Sequence, residues 1–261
     1  MLCGLGPGRP PRGRGGPLRL FALEGIPEIQ SDGHLAQLVA AAAFVQGVRP
    51  GDVVAVAQKV VSKDEGRCVV IADVVPGPRA RALAALTAKD PALCELIVQE
   101  SARIVRRRGA TLICETHHGF VCANAGIDTS NTAPGTAVLL PRDSDRSARR
   151  IQSAVSASVG GRVGVIVTDT HGRAFRRGLV NVALGVAGFE AVDDGRGGLD
   201  REGRVMVATE LAVADELAAA AGLLMGKADG RPVVVISGVD TSPAPGSVAG
   251  LLRRREHDLF R

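Results

Sequence analysis

The sequence predicts a fold that combines α-helices with β-strands in irregular order, an α+β or mixed α/β architecture. Short apolar runs typical of buried strands alternate with longer segments in which apolar residues recur at helical spacing. The alternation is irregular and no internal repeat is present, which favours this architecture over a barrel. A composition of 46% hydrophobic and 23% charged residues is that of an ordinary globular chain.

The first half of the chain begins with a leader and continues with helices and strands. Residues 1–17 are rich in Gly, Pro and Arg and cannot bury enough apolar surface to order themselves, so we expect one folded domain at residues 18–261. Helices are predicted at residues 35–45, 79–89 and 91–107, and strands at residues 52–61, 111–115 and 120–123. Residues 62–66 are predicted to form a polar loop at a strand end, where functional groups often lie.

The second half repeats the combination of buried strands and helices. Helices are predicted at residues 146–159 and 212–225, and strands at residues 164–168 and 232–236. Residues 169–173 and 193–203 are predicted as loops, and the segment from residue 243 as loop-rich with a basic, helix-like end. The first of these loops follows a buried strand directly, as the loop at residues 62–66 does.

Composition excludes several classes of protein. Six Phe and no Trp or Tyr leave little material for base-stacking platforms, although a net charge of +5 keeps a nucleic-acid partner open as an alternative. Five widely spaced cysteines without a C-x-x-C pair indicate neither a disulfide framework nor a zinc site. No apolar run approaches the ~20 residues that span a bilayer, so we expect a cytoplasmic protein without a membrane partner.

Two polar clusters contain residues suited to metal chemistry. The sequence lacks the phosphate loop, the H-E-x-x-H and G-x-S-x-G motifs, and a strand-led G-x-G-x-x-G. Residues 124–131 and 168–173 instead combine Asp128 or Asp169 with hydroxyl and amide groups, the hard oxygen ligands that Mg²⁺ and Mn²⁺ prefer. Both clusters are also good turn and helix-cap sequences, so the pattern alone leaves a structural role open.

Basic side chains near the predicted strand ends could neutralise a transferred phosphate. They are Lys63, Arg67, Arg173, Arg176 and Arg177. For each of them taken singly, a solvated surface charge is the favoured interpretation. Adjacent histidines on a strand point to opposite faces, so we expect His117 and His118 to have structural roles and not to share a metal ion.

Residues 115–131 carry a resemblance to a known family. Their sequence, Glu-Thr-His-His-Gly-Phe-Val-Cys-Ala-Asn-Ala-Gly-Ile-Asp-Thr-Ser-Asn, closely resembles the signature segment of coenzyme F420:L-glutamate ligases, which attach glutamate to a deazaflavin coenzyme. Residues 25–29, 58–67 and 169–176 resemble the same family in the same order, and residues 209–226 fit its Ala-rich helix. The resemblance therefore extends over residues 20–238.

The resemblance implies an activity and a fold. GTP would phosphorylate the lactyl carboxylate of coenzyme F420-0, and the amine of L-glutamate would attack the acyl phosphate to form an amide, with further γ-glutamyl additions as an extension of the same chemistry. The fold implied is α+β, with mixed sheets and packed helices, in an intertwined homodimer. The ions implied are two Mg²⁺ or Mn²⁺, with K⁺ as a further candidate.

The resemblance also implies roles for individual residues. Asp128 and Asp169 would hold one divalent ion, Thr170 and Glu210 a second, and Asp128, Asp169 and Lys63 would form the catalytic set. The expected GTP contacts are Ile26, Pro27, Glu28, Ile29, Gln58, Lys63 and Asn131, with residues 223–230 as a weaker candidate.

Two stretches depart from the family pattern and leave the substrate open. Ser31-Asp32-Gly33-His34 stands where the family more often has Gly-Asp-Asp, and residues 193–196 replace a stretch that usually carries an aromatic residue. A ligase of the same fold with another acceptor or amino acid is therefore one alternative, because a fold does not determine a substrate. A catalytically silent nucleotide-binding protein is another, although the complete set of charged residues argues against it.

Overall fold

The computed structural model describes residues 17–226 and 229–259, so residues 1–16 of the predicted leader lie outside the described part. Its strands, numbered in chain order, are β1 Arg19–Ala22, β2 Val53–Ala57, β3 Cys68–Val70, β4 Ser101–Arg108, β5 Thr111–Thr116, β6 Val121–Ala123, β7 Thr136–Val138, β8 Gly164–Arg173, β9 Arg176–Ala187, β10 Asp193–Asp194, β11 Glu210–Leu211 and β12 Val233–Ser237. Its α-helices are α1 Leu35–Val45, α2 Gln58–Asp64, α3 Pro78–Thr87, α4 Pro91–Gln99, α5 Ser144–Val159 and α6 Val213–Met225. The chain thus combines helices with mixed sheets, and the α+β prediction is confirmed.

A five-stranded mixed sheet forms the centre, in the order β1-β12-β2-β8-β9. The pair β2–β8 is parallel and the other pairs are antiparallel. Side chains alternate between the faces of a strand, so Val54 and Val56 of β2 belong to one core cluster, and Val53 and Ala55 belong to another. The first cluster includes residues of α1 and α5 and the second includes residues of α6, so the sheet is covered on both faces.

A smaller layer contains the rest of the regular structure. The antiparallel sheet β4-β5-β6 packs through Leu112 and Cys114 against Ile97 of α4. The short pair β3–β7 packs against α4 through a contact cluster that includes Ala137 of β7 and Leu96 of α4. Apolar residues of α3, α4 and these strands therefore form separate clusters that adjoin the central sheet.

The N-terminus of α5 lies unusually close to β9. Asp145 accepts hydrogen bonds from the backbone N–H of Val186 at 2.8 Å and of Val248 at 3.0 Å, which joins α5, β9 and the C-terminal segment. A Cβ at Gly185 would lie 2.3 Å from the carbonyl carbon and oxygen of Ser144. Glycine is therefore required at this position for the helix to approach the strand.

The strand predicted at residues 52–61 is too long. Strand β2 ends at Ala57, and α2 occupies residues that the prediction divided between the strand and a loop, so Lys63 lies on a helix. The ladder between β2 and β8 ends at the pair Ala57–Thr168, and beyond it Gln58 donates a side-chain hydrogen bond to Ser62, one helical turn later. A short apolar run does not distinguish the two states by its pattern.

The helix predicted at residues 91–107 is wrong in its second half. Helix α4 ends at Gln99, and residues 101–108 form β4, which pairs with β5 through two irregularities of register. Pairing with a neighbouring strand overrides the helical propensity of the Arg-rich stretch.

The loop predicted at residues 169–173 is a continuation of β8. Asp169 pairs with Val182 and Thr170 with Asn181 of β9, after a register shift at Thr168. Because β9 provides hydrogen-bond partners along this stretch, the acidic cluster lies on a strand.

The remaining helix predictions are confirmed within a few residues, for α1, α3, α5 and α6. Of the four cysteines in the described part of the chain, Cys94, Cys114 and Cys122 are buried, and Cys68 is exposed on the short pair β3–β7. No helix within the described ranges has the length and apolar character needed to cross a membrane.

Candidate functional site

A cavity of about 690 Å³ opens where β2 and β8 end side by side. The carboxyl ends of parallel strands meet at one edge of a sheet, where ligands of α/β proteins commonly bind. At this edge β2 passes into α2, and β8 continues with Asp169 and Thr170. Residues 122–131, from β6 and the segment after it, contribute another wall. With residues 26–29, Met225 and Gly226, all five sequence stretches that resemble the ligase family contribute to one cavity.

Asp128 lies in this cavity beside a lysine that the sequence did not single out. The Lys59 ammonium is 2.8 Å from its Oδ2 and donates a hydrogen bond to the Ser130 carbonyl at 2.5 Å. Burial raises the pKa of Asp128, but hydrogen bonds from Lys59 and from the Ser130 backbone outweigh it and leave the pKa below its ordinary value. The carboxylate is therefore ionised at neutral pH, as a metal ligand must be.

Asp169 faces the same cavity from β8. Its Oδ2 is 3.4 Å from Nε2 of His171, two residues further on the same face of the strand. Burial raises the pKa of the Cys122 thiol to about 12, and the nearby charge of Asp169 contributes to the rise. The negative charge of Asp169 on β8 is thus felt by the thiol of Cys122 on β6. Cys122 stays protonated and unreactive at neutral pH.

The residues at 26–29 form a wall of the cavity. Glu28 pairs with the ammonium of Lys63 on α2, so two of the expected GTP contacts are ion-paired to each other. The side chain of Ile29 is 5% exposed and belongs to the core beneath α1. A contact from Ile29 to a ligand would therefore use its backbone.

Gln58 and Asn131 also line the cavity. Gln58 is buried, and its side-chain amide donates to the hydroxyl of Ser62 at 2.7 Å and to the carbonyl of Leu139 at 3.2 Å. Its amide protons thus have structural partners, and its carbonyl oxygen or backbone would meet a ligand. Asn131 has a positive φ of 50°, a conformation that Asn tolerates better than most residues.

The oxygen atoms at the cavity fit a divalent ion that also binds phosphate. Asp128, Asp169 and the hydroxyl of Thr170 line it, and that hydroxyl donates to Asn181 at 2.9 Å. Within the described residues no three His, Cys, Asp or Glu side chains are grouped to hold a metal. Two carboxylates with ligand phosphates suffice for Mg²⁺, which rarely has a cage made of protein alone.

Of the four predicted metal ligands, Glu210 is the one that does not line the cavity in the single chain described here. It lies on β11, where it is exposed and paired with Arg196 at 3.2 Å. Arg196 also binds Asp194, in the segment that departs from the family pattern. The metal role of Glu210 stays a prediction.

Apart from Lys63, the basic residues singled out from the sequence lie outside the cavity lining, and so do His117 and His118. Arg67 donates to Glu100 at 2.7 Å and to the carbonyl of Leu140 at 2.9 Å, which are structural contacts. Three further arginines lie on the exposed tip of the β8–β9 hairpin, at positions 173, 176 and 177. His117 and His118 bind the backbone carbonyls of Gln99 and Arg142, in agreement with structural roles.

Residues 223–230 contribute to the cavity in part. Met225, Gly226, Asp229 and Gly230 line it, whereas residues 227 and 228 lie outside the described part of the chain.

Lys59, Asn124 and His171 are cavity residues to which the sequence analysis gave no individual role. Each lies inside a stretch that resembles the ligase family, so the resemblance pointed to the segment but not to the individual residue. What marks these three residues is the set of atoms around their side chains in the folded protein. The sequence alone does not show those neighbours.

Comparison with known proteins gives a consistent result. A family model described as F420-0:Gamma-glutamyl ligase matches residues 25–238. A protein of Methanothermobacter thermautotrophicus is 44% identical over 94% of this chain and 99% of its own length, and one of Methanopyrus kandleri is 41% identical over 94% and 100%. A protein of Halobacterium salinarum is 44% identical over 94% of this chain and 96% of its own. All three are named coenzyme F420:L-glutamate ligase.

Proposed function

The chain belongs to the F420-0:gamma-glutamyl ligase family, and from this membership we propose that it joins L-glutamate to coenzyme F420-0 in a GTP-driven reaction of coenzyme F420 biosynthesis. The observation that supports the proposal best is the cavity in which Asp128, Asp169, Lys59 and Lys63 lie together. Two anions and two cations around one space suit the transfer of a phosphoryl group, which depends mainly on positioning and charge neutralisation.

The proposed reaction has two steps, formation of an acyl phosphate and formation of the amide. A carboxylate oxygen of the acceptor forms a bond to the γ-phosphorus of GTP while the bond to the β-phosphate oxygen breaks, which gives an acyl phosphate and GDP. The amine of L-glutamate, after it loses a proton from its ammonium form, attacks the acyl carbon. The bond from that carbon to the phosphate oxygen then breaks, a second proton leaves the nitrogen, and an amide and inorganic phosphate result.

The charged side chains have distinct roles in this proposal. Lys63 and Lys59 would contact phosphate oxygens, and their present partners Glu28 and Asp128 hold them at the cavity wall. Asp128, Asp169 and Thr170 would hold Mg²⁺ or Mn²⁺, which when bound neutralises charge on phosphate oxygens. Holding both reactants in this enclosed space removes much of the entropic cost of bringing them together.

We predict that the purified protein adds glutamyl units to F420-0 when it is given L-glutamate, GTP and Mn²⁺. Mass spectrometry of the deazaflavin is the measurement, with ATP in place of GTP, no nucleotide, and EDTA as controls. A gain that persists without nucleotide or with EDTA would contradict the proposal. An unchanged deazaflavin despite GTP binding would favour another acceptor or another amino acid.

The assembly proposed for the chain is a homodimer. Residues 172–179, at the tip of the β8–β9 hairpin, are all exposed, and Phe175 is 88% exposed at a φ of 62°. Leu179 on the same hairpin is 58% exposed, and together the two apolar side chains offer a surface that a partner chain would bury. A second copy of the chain is the partner that family membership favours.

We expect the protein to elute with a mass of about twice 26.9 kDa, measured by light scattering after gel filtration. Phe175→Asp should shift the equilibrium towards monomer, because Asp tolerates the same backbone conformation but removes the apolar contact. Phe44→Asp, on the 66% exposed Phe of α1, is the matched control and should leave the mass unchanged. A monomeric wild-type protein at micromolar concentration would refute the dimer.

A further inference from the structure

The segment after β6 turns through three consecutive residues with positive φ. They are Asn124 at 51°, Ala125 at 56° and Gly126 at 74°. Gly adopts this left-handed conformation freely and Asn tolerates it, but for Ala it carries a steric cost. Such strain persists where the surrounding structure imposes it, and it is concentrated at ligand sites. Here the turn holds Asn124 at the wall of the cavity.

The side chain of Asn124 ends in an atom without a protein partner. Within the described part of the chain, four buried side-chain polar atoms lack a hydrogen bond, and two of them, Oδ1 of Asn124 and Nε2 of His171, belong to cavity residues. The ring nitrogen of His171 still has Asp169 at 3.4 Å. Buried oxygen atoms of amides are normally paired. Oδ1 of Asn124 is therefore a buried acceptor without a partner in the described part of the chain, and a ligand N–H that reaches it would supply the missing hydrogen bond.

We propose that Asn124 binds the attacking amino group of the amino-acid substrate, with Oδ1 as the acceptor of one of its N–H bonds. The inference rests on the proposed ligase function. It assigns to this turn the part of the site that receives the amine, separate from the lysines and carboxylates that would bind phosphate and metal.

The acceptor atom at Asn124 selects an amine over the other groups of the reaction. Carboxylate and phosphate oxygens are acceptors and cannot pair with another acceptor. The N–H bonds of guanine and of a deazaflavin belong to ring systems remote from the reacting carbon. An ammonium group has N–H bonds to donate, and a hydrogen bond from one of them to Oδ1 would orient the nitrogen for attack once another proton has left it.

Asn124→Gly separates this role from a purely structural one. Glycine accepts the same φ at no steric cost, so the variant removes the amide and keeps the turn. We expect the KM for L-glutamate to rise about 10-fold or more, as for loss of a buried hydrogen bond to a charged group. The KM for GTP and the Mn²⁺ affinity, measured by electron paramagnetic resonance, should stay within about 2-fold. If Asn124 only shaped the turn and bound no ligand, the Asn124→Gly variant would show wild-type kinetics.

Two further variants and a second nucleophile complete the experiment. Asn124→Asp keeps an acceptor oxygen of the same size and should recover part of the affinity for L-glutamate. Ala125→Gly changes the same turn without touching the amide, and its KM for L-glutamate should equal that of the wild type. Concentrated hydroxylamine intercepts an acyl phosphate without an amino-acid site, so hydroxamate formation by Asn124→Gly should match the wild-type rate.

The outcomes distinguish the inference from the function on which it rests. A wild-type protein that forms no glutamyl product would overturn both. An active wild type together with an unchanged KM for L-glutamate in Asn124→Gly would overturn the inference alone. A fall in hydroxamate formation or in Mn²⁺ affinity in a folded Asn124→Gly protein would also overturn it, because Asn124 would then act on the nucleotide or the metal.

Discussion

Asp169→Asn is expected to lower kcat by roughly 10³-fold while the protein remains folded, because it removes an anionic ligand beside the reacting phosphates. The amide occupies the same volume on β8, so neither the strand nor its pairing with β9 should change. The site, which then has one carboxylate instead of two, should also bind Mn²⁺ more weakly. Measurements of kcat, of Mn²⁺ affinity and of far-ultraviolet circular dichroism test these three statements.

Asp128→Asn gives an informative comparison for the same prediction. It removes a carboxylate and also leaves Lys59 without its ion-pair partner at 2.8 Å. We expect a loss of kcat of similar size, accompanied by a change in the KM for GTP that Asp169→Asn does not show. Asp73→Asn, at an exposed position away from the cavity, is the control and should behave as the wild type. Full activity in either cavity variant would contradict the metal assignment.

Gly185→Ala is expected to reduce the free energy of unfolding by roughly 3 kcal/mol, the upper part of the range for overpacking. The new Cβ would lie 2.3 Å from backbone atoms of Ser144, which cannot rotate away as a side chain would. Relief requires α5 to move from β9, and this movement stretches the hydrogen bonds of Asp145 to Val186 and Val248. Urea denaturation followed by circular dichroism measures the change.

The control for this substitution is Gly250→Ala in the C-terminal segment. A Cβ there meets its nearest neighbour, a methyl group of Val192, at 3.8 Å, which is an ordinary contact. The free energy of unfolding should change by less than about 0.5 kcal/mol, as for most surface substitutions. Equal stability of the Gly185→Ala and Gly250→Ala proteins would show that the helix adjusts without cost.

Long segments with a clear period were predictable from sequence, and short or ambiguous segments were not. Helix α1 has the predicted bounds because apolar residues recur at helical spacing until Gly47 and Pro50 end the pattern. Residues 101–108 contain good helix formers, yet they pair with β5, which lies later in the chain. Asp169 and Thr170 look like loop residues, and β9 makes them part of a strand.

The family, the mixed architecture and the stretches that meet at the site were all predictable from residue types at fixed spacing, which are properties of the chain. The pairing of Lys59 with Asp128 and of Lys63 with Glu28 depends on how the chain packs, and so does the unpaired buried oxygen of Asn124. The two ion pairs join residues far apart in sequence, because the packed fold brings α2 next to the segments that follow β1 and β6. Strand order is a property of the whole packed core, and no local pattern encodes it.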